Sequence, residues 1–459
     1  MPAAAQDIQN PEAPAPRGSW VPFTLVSWLL NFAYAALLIV VSPILLWRMV
    51  RTGKYREGWA QKLFGQLPVS DPNHSVAWFH AVSVGEVLQL ETIIPAFAAA
   101  RPNTRIVIST TTTTGQDIAR QRFPSHCCCY FPLDFSWAAN RALNRVRPDL
   151  FVLVELELWP TFLLRASRNG VKLGVINGRL SERSFRGYRR VRWLMSKVLS
   201  RFDAIGAQSN EYPKRFTTLG ARDVNVTGSI KFDRVETDRN NPRTTELREH
   251  FGIGSDDIVL VAGSTQAAEE ELAVRSWMSL RERFPSLRLI VVPRHQERFA
   301  EVAQMIKSFG LTVMKRTEPR SVPGPDSVML LDTLGELSHC WGLADVAFVG
   351  GSFGDRGGQN MIEPAAFGAA VLVGPNTRNF ADVVSALVRE NGIVVVSSTD
   401  KFAGAVESLL SNAANRRSLG HAANRVVLSQ RGASRKTVEL LLGLTASQAD
   451  NRSAGRTAA

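Results

Sequence analysis

Two kinds of cluster in the chain carry residue types that do chemistry. The amino-terminal half holds acidic ones. His80-Ala81-Val82-Ser83-Val84-Gly85-Glu86 follows an apolar run and opens a helical pattern. Ser83 and Gly85 suit a turn that lets a ligand approach, and Glu86 falls in the first helical turn. Glu86 reads either as a helix-capping carboxylate or as a general base taking a proton from an attacking hydroxyl. Glu155-Leu156-Glu157-Leu158-Trp159-Pro160 places two carboxylates two residues apart after another apolar run. In extended chain both would point the same way, read as acceptor contacts, a supporting role or a metal pair, or else as one exposed and one capping carboxylate. Asn177-Gly178-Arg179-Leu180-Ser181-Glu182-Arg183 opens a basic stretch, read either as a solvated helix or as an anion contact with Arg179 in it.

The carboxy-terminal half holds glycine-rich clusters. Gly263-Ser264-Thr265, Pro293-Arg294-His295, Asp332-Thr333-Leu334-Gly335-Glu336, Gly350-Gly351-Ser352 and Gly357-Gly358-Gln359-Asn360-Met361-Ile362-Glu363 each follow an apolar run. Glycines ahead of a helix leave backbone N–H groups free for phosphate. Glu363 suits ribose hydroxyls and Arg294 a leaving phosphate. Each motif alone is common, but five at successive strand ends read as a nucleotide site. No GxGxxG follows the first strand and no GxxxxGK[ST] occurs, which argues against nicotinamide enzymes and P-loop NTPases. No metal-ligand spacing is present, and the single-strand nucleic-acid pattern of aromatic-rich basic patches is missing.

The elements that must position these residues alternate. From about residue 75, strand, loop and helix repeat through SVAWFHA, TRIVIST, DLFVLVE, KLGVIN and FDAIGAQ. A polar stretch, DRVETDRNNPR at 233–243, reads as a linker. The alternation restarts with DIVLVAGS, LRLIVVP, SVMLLDT, VAFVGGS, AAVLVG and GIVVVSS. The prediction is an α/β protein of two Rossmann-like domains, residues 51–235 and 236–445, facing a cleft. Residues 1–17 and 446–459 read as disordered.

With 459 residues, 45% hydrophobic and 21% charged, the chain fits two globular domains. The four cysteines, three adjacent at 127–129, read as free thiols. A net charge of +13 calls for an anionic partner or a basic solvated surface. From Gly18 to Trp47 no residue is charged, and Arg48, Arg51, Lys54 and Arg56 follow. Segment 18–50 is therefore read as a membrane anchor, spanning or lying in the interface, against anionic lipids with the body in the cytoplasm.

These residues resemble the 3-deoxy-D-manno-octulosonic acid (Kdo) transferase family. The markers are HAVSVGE, STTTTTGQ, ELELWP, INGRLSERS, GSIKFD, VPRHQER, DTLGEL and FVGGSFGDRGGQNMIEPAAFG, in that order from about Arg51 to Leu440. The resemblance implies a GT-B fold, with the acceptor domain first and the nucleotide-sugar domain second. It implies transfer of Kdo from CMP-Kdo to the lipid A precursor at the inner membrane, with inversion and without a cofactor. It implies Glu86 as base and Ser83, Gly85, Glu155 and Arg179 on the acceptor side. Lys231, Ser264, Thr265, Pro293, Arg294, Gly335, Glu336, Gly351, Ser352, Asn360 and Glu363 fall on the donor side. The alternative on the same fold is a UDP-sugar transferase or a nonhydrolysing epimerase. Gln266-Ala267-Ala268 departs from the family, which often has His and then Gly before the paired Glu269-Glu270.

Overall fold

The computed structural model describes residues 31–32, 34–36, 39–43, 47, 51, 57–71 and 73–457, with side chains described as far as residue 446. The predicted disordered stretch 1–17 and the basic residues Arg48, Lys54 and Arg56 lie outside the described residues. The described residues between Asn31 and Trp47 are helical. Most of the predicted anchor is undescribed, and among the described residues no helix is long and apolar enough to cross a membrane.

Among the described residues two seven-stranded sheets form the body, and every strand pairing is parallel. The first contains β1 (Ser75–His80), β2 (Thr104–Thr110), β3 (Cys127–Tyr130), β4 (Leu150–Val154), β5 (Lys172–Gly178), β6 (Ala204–Ala207) and β7 (Val224–Val226). Its order is β3-β2-β1-β4-β5-β6-β7. The second contains β8 (Ile258–Thr265), β9 (Leu287–Pro293), β10 (Thr312–Lys315), β11 (Ser327–Leu330), β12 (Val346–Val349), β13 (Ala370–Val373) and β14 (Ile393–Val395). Its order is β10-β11-β9-β8-β12-β13-β14. β4 and β12 are buried at every position, as strands covered by helices on both faces require.

Strand order reverses between β1 and β4 in the first sheet and between β8 and β12 in the second. Crevices open at such switch points, beyond the carboxyl ends of the strands. Glu86 and Glu155 follow β1 and β4, and Ser264-Thr265 and Gly350–Ser352 lie at the ends of β8 and β12. The motifs singled out by composition thus fall on the two crevices.

The sequence division into domains needs correcting at the carboxyl end. The last helix, Ala433–Thr457, includes residues read as disordered tail and as second domain. Its first turns pack on the first domain. Ala433, Val438 and Leu441 join the core of Ala77, Phe79 and Ile93, and a Cβ on Gly174 of β5 would stand 3.4 Å from Leu441 and Leu444. The apolar positions Val438, Leu441, Leu442 and Leu444 give this helix a face to bury, and no proline interrupts it. The outgoing linker is also tied down. Asp233 accepts the backbone N–H groups of Gly432 at 2.7 Å and Ser434 at 2.5 Å, so the two crossings between domains run side by side.

Candidate active site

Glu86 is the third residue of the helix Val84–Ala100, which starts after the extended residue Ser83. One carboxylate oxygen accepts the Val82 N–H at 2.9 Å and the other accepts the Ser83 hydroxyl at 2.9 Å. Capping and catalysis are therefore not alternatives here, because the cap holds the carboxylate in place. Burial is the largest influence on its acidity, with Glu155 and Glu157 adding to it against the two hydrogen bonds, and the pKa is raised to about 7. Gly85 lies inside the helix rather than in a turn, and a Cβ there would meet only Ser83 Oγ at 4.0 Å. Its missing side chain leaves the surface beside Glu86 open. His80, deep in the core, stacks on Phe131 at 4.0 Å and bonds Ser109, and burial lowers its pKa to about 3. It is a neutral packing residue at physiological pH.

The second acidic pair differs from its predicted form. Glu155 adopts φ 61, so the chain turns there instead of remaining extended, and the argument that both carboxylates point the same way fails. A left-handed carboxylate residue at a strand end is strain of the kind kept at functional sites. Glu155 accepts a hydrogen bond from Gln89 Nε2 at 3.0 Å and lies 3.7 Å from Lys231 Nζ. Burial raises the pKa of Glu157.

Gln89, one helical turn beyond Glu86, was not singled out in the sequence. It is buried and links three parts of the site. Its amide N–H donates to Glu155, its oxygen accepts Asn177 Nδ2 at 2.6 Å, and Asn177 Oδ1 accepts the Ile230 N–H at 3.2 Å. The loop after β4, the end of β5 and the turn at Ile230 are thus joined through the Glu86 helix by one hydrogen-bonded chain. A polar residue at a helix position otherwise flanked by buried Val87, Leu90 and Ile93 was the available signal.

Asp134 was missed as well. It accepts the N–H groups of Thr161 at 2.9 Å and Phe162 at 2.7 Å, capping the helix Pro160–Arg168 that follows the ELELWP loop. Burial raises its pKa to about 6. Tyr34, from the predicted anchor, hydrogen-bonds the same carboxylate, and Asn31 bonds Ser136 Oγ and N–H, each at 2.9 Å. Asn31 and Tyr34 are therefore bonded to the turn at Asp134 and Ser136, beside the start of the helix Pro160–Arg168.

The opposite wall belongs to the second domain. Pro293 ends β9, and the exposed Arg294 lies close enough to Glu363 to lower that carboxyl's pKa against the larger, raising effect of burial. Asn360 Nδ2 donates to Glu363 Oε1 at 2.9 Å, and its Oδ1 accepts the Ile362 N–H at 3.1 Å. Arg234, close to Glu363, also bonds Glu91 Oε2 on the Glu86 helix at 2.6 Å. Arg294, Asn360 and Glu363 thus form one group facing the first domain. Gly335 takes φ 84, and Glu336 is held by Arg316 at 3.1 Å and by Thr333, which lower its pKa in spite of burial.

The glycine motifs at the second switch point do something other than predicted. Glu269 fills that crevice from within. Its carboxylate accepts the N–H groups of Gly351 at 2.7 Å, Ser352 at 3.0 Å, Phe353 at 3.1 Å and Gln266 at 2.9 Å. Ser352 Oγ donates to Val349 O and accepts the Gly374 N–H. The backbone donors expected to be free for phosphate at Gly351 and Ser352 are thus already engaged. Thr265 Oγ1 donates to Val292 O, and Ser264 takes φ 54. Ala268, where the resemblance leads one to expect glycine, takes φ 71.

Arg179 sits apart from Glu86, at the junction of the domains. It lies 4.0 Å from Asp382, whose carboxylate accepts the Tyr212 hydroxyl at 2.5 Å. The basic helix Glu182–Arg190 that follows buries no residue, as a solvated helix would.

A family described as 3-deoxy-D-manno-octulosonic-acid transferase (kdotransferase) covers residues 56–234. The 3-deoxy-D-manno-octulosonic acid transferase of Haemophilus influenzae is 32% identical, over 90% of this chain and 98% of its own. That of Bordetella pertussis is 30% identical, over 89% and 98%. Among solved structures, the UDP-GlcNAc 2-epimerase of Neisseria meningitidis shares the fold at 12% identity, TM-score 0.54, over 80% of this chain and all of that one. A glycosyltransferase of Rickettsia africae does so at 12% identity, TM-score 0.55, over 81% and 99%. With near-complete alignment to relatives at 30% identity or more, the chain belongs to the 3-deoxy-D-manno-octulosonic acid transferase family and is a glycosyltransferase.

Proposed function

We propose that the enzyme moves Kdo from CMP-Kdo to the lipid A precursor lipid IVA, with inversion at the anomeric carbon, in lipopolysaccharide biosynthesis. The observation that carries this reading is Glu86, a half-buried carboxyl with a pKa of about 7 at the first switch point. At neutral pH it is poised to accept a proton and is held still by Val82 and Ser83.

The acceptor hydroxyl attacks the anomeric carbon and its proton passes to Glu86. The new carbon–oxygen bond forms on the face opposite the breaking bond to phosphate, which inverts the centre. CMP leaves with the electron pair, its phosphate met by the exposed Arg294 guanidinium. In this reading Asn360 and Glu363, hydrogen-bonded to each other, take the ribose. Glu155 and Gln89 orient the acceptor side, and Lys231 balances Glu155.

The uncharged stretch 18–47 with its following arginines supports tethering to the cytoplasmic face of the inner membrane, by a spanning or an interfacial helix. Incubation with CMP-Kdo and tetraacylated lipid A precursor in detergent, read by mass spectrometry, tests the proposal. Addition of one or more Kdo masses is expected. Transfer from a UDP-sugar, with CMP-Kdo left untouched by folded protein, would overturn it.

A further inference from the structure

We propose that Asn31 and Tyr34 are positioning residues for the loop Glu155–Trp159, so that the apolar amino-terminal helix serves turnover as well as tethering. The part that concerns turnover rests on the transfer proposed above.

Two helices border that loop. Pro160–Arg168 follows it directly, and Ser136–Val146 packs against Pro160–Arg168. The first N–H groups of a helix need acceptors from outside it, usually the side chain just before the helix. Here those residues are Phe135 and Trp159, and neither side chain caps. Both helices are capped from elsewhere in the chain. Asp134, fully buried, accepts the N–H groups of Thr161 and Phe162, 27 and 28 residues away. Asn31 Oδ1 accepts the Ser136 N–H at 2.9 Å, and its Nδ2 donates to the Ser136 hydroxyl at 2.9 Å, from 105 residues away.

Asp134 and Ser136 flank Phe135, so the two caps share one turn. Tyr34 holds that turn from the side. Its ring meets Phe135 edge-on, with centroids 6.3 Å apart, and its hydroxyl bonds the Asp134 carboxylate. The same strip touches the loop a second time, because Phe131 packs on Trp159 with ring centroids 5.4 Å apart. A displacement of Asn31 and Tyr34 therefore reaches the start of Pro160–Arg168, and with it the loop that carries Glu155 and Glu157.

The exposure of the amino-terminal helix agrees. Asn31, Tyr34 and Ala35 are half-buried, whereas Phe32, Ile39 and Val40 are 76%, 72% and 73% exposed. A helix that served only as a tether needs no face on the body, and this one has such a face. That face carries its amide. An amide in an apolar segment is costly unless it is hydrogen-bonded. Both ends of the Asn31 amide are bonded, and to one serine.

The test uses the full chain in detergent and three variants. Asn31→Leu keeps the segment apolar and removes the cap. Tyr34→Phe keeps the ring and removes the hydroxyl. Asn31→Asp keeps oxygens that can accept both the N–H and the hydroxyl of Ser136. The first readout is amide hydrogen exchange by mass spectrometry, without donor or acceptor sugar. Asn31→Leu and Tyr34→Phe should speed exchange over 134–140 and 155–165 by about fivefold or more and leave 258–293 unchanged. The second readout is transfer. In the same two variants kcat should fall by about fivefold with the KM for CMP-Kdo unchanged. Asn31→Asp should stay near the wild type in both readouts. Unchanged exchange over 155–165 in Asn31→Leu would overturn the link to the loop. Faster exchange there with an unaltered kcat would overturn the positioning role, as would an Asn31→Asp variant as impaired as Asn31→Leu. Should Asn31→Leu fail to fold, Tyr34→Phe carries the same readouts. Exchange needs no transfer, so failure of the proposed reaction and failure of this coupling are distinguishable.

Discussion

On the amino-terminal wall of the cleft, Glu86 is held by two neutral donors and burial raises its pKa to about 7. On the carboxy-terminal wall, Glu269 accepts four backbone N–H groups and Glu336 is clamped by Arg316 and Thr333. Both walls place carboxylates shortly after strands, yet the acidities of Glu86 and Glu336 shift in opposite directions. Where donors are few and water is partly excluded, the acid retains affinity for a proton. Where a guanidinium and a hydroxyl clamp it, as at Glu336, the pKa falls in spite of burial, and Glu269, bound by four backbone N–H groups, is a structural strut. Residue type alone does not separate these outcomes; the balance between burial and the donors does, as Asp134 shows, where burial prevails over two backbone N–H groups.

The comparison breaks most readily at Glu86. Glu86→Gln keeps the size and the cap but removes the proton acceptor. Turnover should fall by about 10²-fold or more, with CMP affinity unchanged in calorimetry. Near-normal turnover would remove Glu86 from the mechanism.

Glu269→Ala tests the strut. It leaves the N–H groups of Gln266, Gly351, Ser352 and Phe353 without their acceptor, and denaturant unfolding should show a loss of about 3 kcal/mol or more. A loss of CMP binding with unchanged stability would instead make Glu269 a ligand-handling residue.

Gln89→Leu cuts the buried chain between Glu155 and Asn177 while keeping the volume. A positioning role predicts a kcat lower by about tenfold, unchanged CMP affinity and an unmoved acid limb of the pH profile. Loss of stability alone, without the kcat effect at a temperature where the variant is folded, would leave Gln89 a packing residue. The smallest effect is at Ala268, whose φ of 71 is strained for any side chain. Ala268→Gly should raise stability by about 1 kcal/mol, read from the same unfolding curves.

Much of this was legible in the sequence. Continuous apolar runs such as LFVLV and the shorter apolar run inside TRIVIST name their strands, and glycine or carboxylate clusters after such runs mark strand ends. β7 and β10 carry too few apolar residues to register, since they lie at sheet edges. The return of the last helix to the first domain is a tertiary fact. Its apolar face is visible, but nothing local says which domain will cover it. The site was legible where chemistry depends on a single residue following a strand, as at Glu86. It was hidden where a role depends on partners far along the chain. Glu269 lies 82 residues from the Gly351 amide it captures, and Gln89 lies 88 from Asn177. The left-handed turn at Glu155 likewise has no signal in a residue type that seldom adopts it.

The central claim is that Glu86 acts as the base, and its own titration tests it most directly. Its pKa is raised, so the protonated, inactive form persists up to about pH 7. Single-turnover transfer measured from about pH 5.5 to 8.5 should rise about tenfold per pH unit below 7 and level off above it. A rate that is flat across that range in a stably folded enzyme, with chemistry shown to be limiting, would contradict the account.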